Sequence, residues 1–255
     1  MQKTFVLDEK VNLNGYSVVF PSVCVGNAAQ LAVDLLISTL EMKKVGTVWH
    51  SAIIPVLGPR AFDHKTTSDA SSPSSNITTA CELFVSESKR LACFQLRSPL
   101  VAGKRLVAFF NDLVTFLKEQ QVKEIVILTG MFSHEQHAIG TTKFMYLAND
   151  QYQEQHMAQL ENSQWIKWSE TNNIIHGGGF AMKLHKQIGE TVPSCIFFKY
   201  TAEGDNRSDA VEIVQQVNVL LGGVLNSSDN GGSFKLTVPV SWQAMFGNDP
   251  TEQLY

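Results

Sequence analysis

Apolar residues along the chain fall into two patterns, which together are typical of an α/β fold. Short continuous runs rich in β-branched and aromatic residues predict strands. These runs cover residues 16–20, 45–49, 53–57, 81–86, 91–97, 124–129 and 194–201. Between them, apolar residues recur at three- and four-residue intervals, which predicts helices. These helices cover residues 28–40, 106–121, 152–164, 180–188 and 207–221.

Three segments refine this picture. The helix at 106–121 has the clearest apolar face. The run at 124–129 is apolar almost throughout, as in strands buried on both faces of a parallel sheet. Residues 81–97 predict a β-hairpin that turns at residues 87–90. We therefore expect a single doubly wound α/β sandwich with an inserted β-hairpin, resembling nucleoside-phosphorylase-type folds.

The chain's organisation follows from its polar stretches. A Ser-rich segment without apolar periodicity predicts a flexible, exposed loop at about 58–79. We assign residues 1–247 to one α/β domain and residues 248–255 to a C-terminal tail. Asn27 is expected to cap the first helix, and Asp205 or Asn206 to cap the last.

Composition excludes several classes of protein. Hydrophobic residues make up 44% and charged residues 17% of the 255-residue chain, which indicates a folded globular protein. A net charge of −4 without a long basic run argues against nucleic-acid binding. The apolar runs are too short to span a bilayer, and no apolar stretch precedes Asp8 as in a signal peptide. We expect an intracellular protein whose four cysteines, without a C-x-x-C pair, are buried free thiols.

Two glycine-containing turns invite a comparison with ligand-binding motifs. Gly26 lies between a predicted strand and a helix, but a dinucleotide fingerprint needs three glycines at fixed spacing. Residues Gly177, Gly178 and Gly179 precede a helix but lack the Lys-Ser/Thr of a P-loop. A tight turn or a close backbone approach is the simpler interpretation, and an anion site is the alternative.

The remaining polar clusters do not assemble a recognisable catalytic site. His134 and His137 are three residues apart, whereas the zincin motif requires four. Glu203 and Asp205 follow a strand, where α/β enzymes often place acid/base groups, but helix capping explains Asp205 equally well. No G-x-S-x-G nucleophile elbow is present.

A long motif points instead to a known family. Residues 21–40 read P-x-V-x-V-G-N-x-x-Q-L-A-x-D-L-x-I-S-T-L. Further matching blocks follow in order: Leu96–Ser98, Gly177–Gly179, Glu203–Asn206 with Asp209–Ala210, and Pro239, Ser241 and Trp242 with Phe246–Gly247. Over essentially the whole chain, the sequence resembles the proteasome assembly chaperones, in particular the second subunit of their heterodimeric pair.

The resemblance implies a specific function. Such a chaperone is no enzyme and uses no cofactor. It pairs with a sister chaperone, binds proteasome α-type subunits, scaffolds the α-ring of the 20S core particle, and is released on maturation. The resemblance also implies localisation to the cytoplasm and nucleus. The helix at 28–40 carries the most family-specific block and is the expected heterodimer face.

The C-terminus is a candidate binding element. These chaperones insert a hydrophobic-Tyr-any terminus between α-subunits, whereas in this sequence the tyrosine is last. Leu254 and Tyr255 are expected to bind the partner through the ring and the terminal carboxylate. The alternative is a nucleoside- or phosphate-handling enzyme with Gly177–Gly179 as anion site and Glu203 or Asp205 as acid/base. A generic dimerisation module is a third possibility.

Overall fold

The computed structural model describes residues 3–8, 11–62, 77–136, 142–169, 174–226, 234–243 and 245. The strands are β1 (Phe5–Leu7), β2 (Ser17–Pro21), β3 (Lys43–Val48), β4 (Leu57–Pro59), β5 (Ile77–Thr79), β6 (Cys81–Ser86), β7 (Leu91–Leu96), β8 (Glu124–Phe132), β9 (Phe144–Ala148), β10 (Ile166–Lys167) and β11 (Ser194–Thr201). The helices are α1 (Ala28–Thr39), α2 (Lys104–Glu119), α3 (Asp150–Asn162), α4 (Ala181–Ile188) and α5 (Arg207–Leu220).

Nine strands form one mixed sheet in the order β1-β3-β6-β7-β2-β8-β11-β9-β10. The four central strands β7, β2, β8 and β11 are parallel. β1, β3, β6 and β7 pair antiparallel on one side, and β9 joins β11 antiparallel on the other. β4 and β5 form a separate antiparallel ribbon.

Each face of the sheet carries its own hydrophobic core. Along β8, Ile125 and Ile127 point to one face, and Val126 and Leu128 to the other. α2 and α4 pack on the first face, whereas α1, α3 and α5 pack on the second. Because helices cover both faces, the predicted doubly wound α/β sandwich is confirmed, and so is the burial of β8.

The hairpin and the five helices occur where the pattern predicts them. Residues 87–90 form the turn between β6 and β7, and all helix ends lie within about two residues of the predicted ones. The prediction missed β1, β9 and β10, as well as the ribbon of β4 and β5. β9 is a continuous apolar run of five residues, so its signal was present. β1 and β10 are only three and two residues long, too short for a periodicity to be recognised.

The segment between β3 and β6 differs from the prediction. Ile53 forms only an isolated bridge to Leu100, so a strand over 53–57 is wrong. The predicted loop at about 58–79 is ordered at both described ends, where Leu57–Pro59 pairs with Ile77–Thr79. Its Ser-rich centre and the tail at 248–255 lie outside the described residues.

The predicted cap of α1 is also wrong. Asn27 has a left-handed backbone conformation with φ of 53°, and its side chain makes no capping hydrogen bond. The cause is a 3-10 turn over Val25–Asn27 that runs directly into the helix. A capping side chain needs an extended backbone in order to reach the first-turn amides.

Candidate functional site

The carboxyl ends of β2, β8 and β11 meet at one edge of the sheet, where open α/β folds usually bind ligands. Residues in the carboxyl-terminal parts of these strands, or just after them, converge there with the glycine turn at Gly177–Gly179. They include Ser22, Val25, Gly26, Thr129, Gly130, Thr201 and Asn206. This carboxyl-end crevice is therefore the first place to look for an active site.

The glycine turn closes the crevice from one side. The carbonyl of Gly178 accepts hydrogen bonds from the hydroxyls of Ser22 and Thr129, each 2.9 Å long. The backbone N–H of Phe180 donates to Ser22 Oγ at 3.0 Å. A Cβ on Gly179 would lie 2.0 Å from the carbonyl oxygen of Val23, so only glycine permits this approach. The close backbone approach favoured from the sequence is thus confirmed.

Asn206 closes the crevice from the other side. Its side chain is almost fully buried and donates from Nδ2 to the carbonyl of Gly204 at 2.9 Å. The same Nδ2 lies 2.0 Å from where a Cβ on Gly26 would be. In dinucleotide-binding folds the equivalent turn faces the pyrophosphate. In this chain a protein side chain packs against it.

Asp205, named with Glu203 as the acid/base of the alternative enzyme, has a structural role. Asp205 makes hydrogen bonds with Arg207 Nε at 2.9 and 3.0 Å, and its Oδ1 also accepts from the backbone N–H of Arg207 at 3.1 Å. These hydrogen bonds lower the pKa of the exposed Asp205 carboxyl. Asp205 therefore stays ionised and satisfies the amino end of α5, which is a capping role, while Asn206 makes no capping bond. Glu203 is exposed next to it.

The predicted histidine pair is only half described. His134 lies in a 3-10 turn, stacks on Phe132 with ring centroids 5.0 Å apart, and is exposed. His137 lies outside the described residues. Within the described ranges, no group of three or more His, Cys, Asp or Glu side chains is arranged to hold a metal ion.

All four cysteines are free and buried, as predicted. Burial raises the pKa of each thiol above its ordinary value. A thiol that stays protonated and inaccessible is a poor nucleophile. These cysteines act as small core residues.

Sequence reasoning missed the buried charged groups, which are Asp34, Glu82, Glu124 and Lys199 among the described residues; Asp34 and Lys199 illustrate them. Asp34 of α1 forms an ion pair with Arg97 at 2.9 Å and accepts a hydrogen bond from Gln95 at 3.1 Å. Burial raises the pKa of Asp34, and Arg97 opposes that rise. Lys199 of β11 is 2% exposed and pairs with Asp209 and Glu212. The sequence did indicate Lys199, because a lysine stands there inside an otherwise apolar strand.

The expected heterodimer face cannot be α1. Ten of its twelve residues are buried, because the helix packs on the sheet and against α5 within the chain itself. A helix already covered by its own chain presents no face to a partner. The expected contact of Leu254 and Tyr255 lies outside the described residues and stays a prediction.

With this geometry, comparison with known proteins identifies the family. The sequence model of the PAC2 family matches residues 20–177, which is more than half of the chain. The chain belongs to the PAC2 family. Within this family it is 30% identical over 250 residues to Proteasome assembly chaperone 2 of Xenopus tropicalis, covering 91% of this chain and 92% of that one. It is 27% identical over 257 residues to the Bos taurus protein of the same name, covering 94% and 95%.

Solved structures share the fold of this PAC2-family chain. Pyrococcus furiosus PbaA, described as an archaeal homolog of proteasome-assembly chaperone, is 17% identical with a TM-score of 0.62, over 89% of this chain and 88% of that one. P. furiosus PbaB, described as an archaeal proteasome activator, is 14% identical with a TM-score of 0.63, over 86% and 88%. The resemblance to proteasome assembly chaperones predicted from the sequence is confirmed. No helix in the described part of this PAC2-family chain is long and apolar enough to cross a bilayer.

Proposed function

We propose that this PAC2-family chain is one subunit of a heterodimeric proteasome assembly chaperone. It pairs with a sister chaperone, binds α-type subunits, scaffolds the α-ring of the 20S core particle and leaves on maturation. The proposal rests on the match to two proteins named Proteasome assembly chaperone 2, which covers 91–94% of the chain. A match of that extent covers the whole fold rather than one shared module.

The crevice supports a non-enzymatic role. An α/β enzyme of this class needs an open site where the parallel strands end. In this chain the Gly178 carbonyl, the Ser22 and Thr129 hydroxyls and the Asn206 amide are hydrogen-bonded to groups of the same chain. Asp205 is held by Arg207 and remains ionised. Among the described residues, no contact supports an anion cradle or an acid/base pair, so we favour a scaffold that needs no cofactor. The resemblance to the assembly chaperones is the ground for proposing that it works in the cytoplasm and nucleus.

The C-terminus is the proposed contact with the α-ring. Leu254 and Tyr255 provide an apolar side chain and an aromatic ring. Such side chains suit a pocket between subunits. We propose that this terminus binds the assembled ring rather than the sister chaperone.

Affinity purification from its own cells tests the proposal. The tagged chain should co-purify with one near-stoichiometric chaperone and with α-type subunits, but with few β-type subunits, as identified by mass spectrometry. Recovery of the chain without α-type subunits at any salt concentration would contradict the scaffold function. Turnover of a nucleoside or phosphorylated nucleoside by the purified chain would favour the enzyme alternative instead.

A further inference from the structure

Among the described residues the sheet ends at β1, and no strand pairs with the outer side of this strand. β1 pairs with β3 in the register Phe5↔Val48, Val6↔Thr47 and Leu7↔Gly46. The Trp49 amide donates to the carbonyl of Thr4 at 2.8 Å, which places the hydrogen-bonded pairs at every second residue of β1. Val6 thus exchanges its backbone hydrogen bonds with β3. Its neighbours Phe5 and Leu7 direct their N–H and C=O groups away from β3, towards the open edge.

A groove runs beside this edge. It has a volume of about 580 Å³ and lies between β1 and α2. Phe5 stacks on Phe116 at 4.2 Å between ring centroids, and the Thr4 hydroxyl donates to Asp112 at 2.5 Å. These contacts hold the strand against the helix. The groove therefore exists before any partner arrives.

The chemistry of the groove indicates its occupant. Unpaired N–H and C=O groups on alternate residues match the backbone of an extended strand. On the helix side, Asp112 and Glu119 give the groove two carboxylates, while Lys3 provides a single cation on the strand side. Charge complementarity favours a segment that carries Lys or Arg next to α2. Val6, 48% exposed, offers an apolar contact on the strand itself.

We propose that the open edge of β1 binds an extended basic segment of the sister chaperone, which adds one strand to the sheet. The proposal rests on the function proposed above, because it locates the heterodimer contact. Natural edge strands are usually protected by a charge, a proline or a covering loop. β1 is protected by its short length alone, since Phe5–Leu7 contains neither a charge nor a proline, and a partner strand would add protection.

Hydrogen exchange resolved by residue is the direct test. In the chain alone, the amides of Phe5 and Leu7 should exchange fast and the amide of Val6 slowly. In the heterodimer with the co-expressed sister chaperone, Phe5 and Leu7 should slow by about tenfold or more, as amides of a paired strand do. Strand addition would slow the exchange of alternate amides, namely Phe5 and Leu7. General shielding would instead slow all neighbouring amides alike.

A matched pair of variants provides the second measurement. Val6→Lys puts a positive charge on the open edge, and we expect it to weaken the heterodimer by about tenfold. Val219→Lys changes an equally exposed valine on α5, in the opposite helix layer, and should leave the affinity unchanged. Equal affinity of both variants and wild type would overturn the proposal.

The other outcomes are equally decisive. If the heterodimer forms but the exchange of Phe5 and Leu7 is unchanged, the edge proposal is wrong and the chaperone function stands. If no heterodimer with the sister chaperone can be isolated, both proposals fail. If the chain alone shows concentration-dependent protection of these amides, the occupant is a second copy, and the proposed partner is wrong.

Discussion

Lys199 of β11 is buried, with 2% of its side chain exposed, and is neutralised by Asp209 of α5, whose side chain remains 22% exposed. Glu212, one helical turn further on, pairs with the same ammonium group at 2.8 Å and is 44% exposed. The cation is thus buried, while water still reaches both carboxylates. The two ion pairs tie α5 to the sheet, and the unequal exposure of the cation and the carboxylates has a measurable consequence.

Removing the two sides of this ion pair should have unequal effects. Asp209→Asn with Glu212→Gln leaves the Lys199 charge buried without a counter-charge and should lower the free energy of unfolding by about 3 kcal/mol or more. Lys199→Met leaves only hydrated carboxylates and should cost about 1 kcal/mol or less. Urea denaturation of both variants measures the difference. Equal losses would contradict this account.

Because Asn206 packs on Gly26, we expect one added methyl group at residue 26 to lower the free energy of unfolding strongly. Gly26→Ala forces alanine into a left-handed conformation with φ of 60° and against the Asn206 amide. We expect a loss of about 2 kcal/mol or more in the free energy of unfolding. Gly58→Ala is the control, because its Cβ would meet no atom within 4 Å, and it should change stability by about 0.5 kcal/mol at most.

A double mutant separates the contact from the backbone strain. Asn206→Ala removes the amide that a Cβ on residue 26 would meet. Gly26→Ala combined with Asn206→Ala should therefore cost less than the sum of the two single changes, by about 0.5 kcal/mol or more. Strict additivity in denaturation experiments would mean that the Asn206 contact adds nothing, and that the cost comes from backbone strain and the nearby Ala202 carbonyl.

The burial of His185 lets us predict how the free energy of unfolding depends on pH. Burial lowers its pKa from 6.5 to about 4, and Ser194 Oγ lies 3.1 Å from its Nδ1. Asp150, Lys186 and Glu190 line the same cavity. The His185 imidazole binds a proton more tightly in the unfolded chain than in the folded one. Its contribution to the free energy of unfolding is therefore full above about pH 6.5 and is lost as pH falls towards 4.

Replacement of His185 isolates that contribution. The loss of unfolding free energy between these pH values is up to about 3 kcal/mol for wild type, and it should be absent from the pH profile of His185→Gln. Denaturation at several pH values measures it. If wild type and variant show parallel pH profiles over this range, His185 does not titrate as its burial implies.

The C-terminal tail predicts a separation of two binding activities. Deletion of residues 248–255 should weaken binding to assembled α-rings but leave the heterodimer with the sister chaperone intact. Tyr255→Ala should show the same effect, since it removes the aromatic ring and leaves the rest of the tail in place. Pull-down of purified rings and size-exclusion chromatography of the heterodimer measure the two activities. Dissociation of the heterodimer, or unchanged ring binding, would contradict the assignment of the tail.

Most of the fold could be predicted because its elements have strong local periodicity. α2 places six large apolar side chains on one face, and β8 and β11 are apolar runs flanked by polar residues. The crevice could not be predicted to the same depth. The hydrogen bond from Ser22 to Gly178 joins residues 156 positions apart, and no local pattern records such a contact.

The sequence by itself determined the α/β class, the hairpin, the helices and the resemblance to proteasome assembly chaperones, because each depends on residues close together in the chain or on a long motif. Only the tertiary structure decided that α1 packs between the sheet and α5 and that Asn206 packs against Gly26. It also decided that no strand of the described part of the chain pairs with the outer edge of β1. Those features depend on which distant segments pack together, and burial, hydrogen-bond direction and steric fit exist only after they have packed.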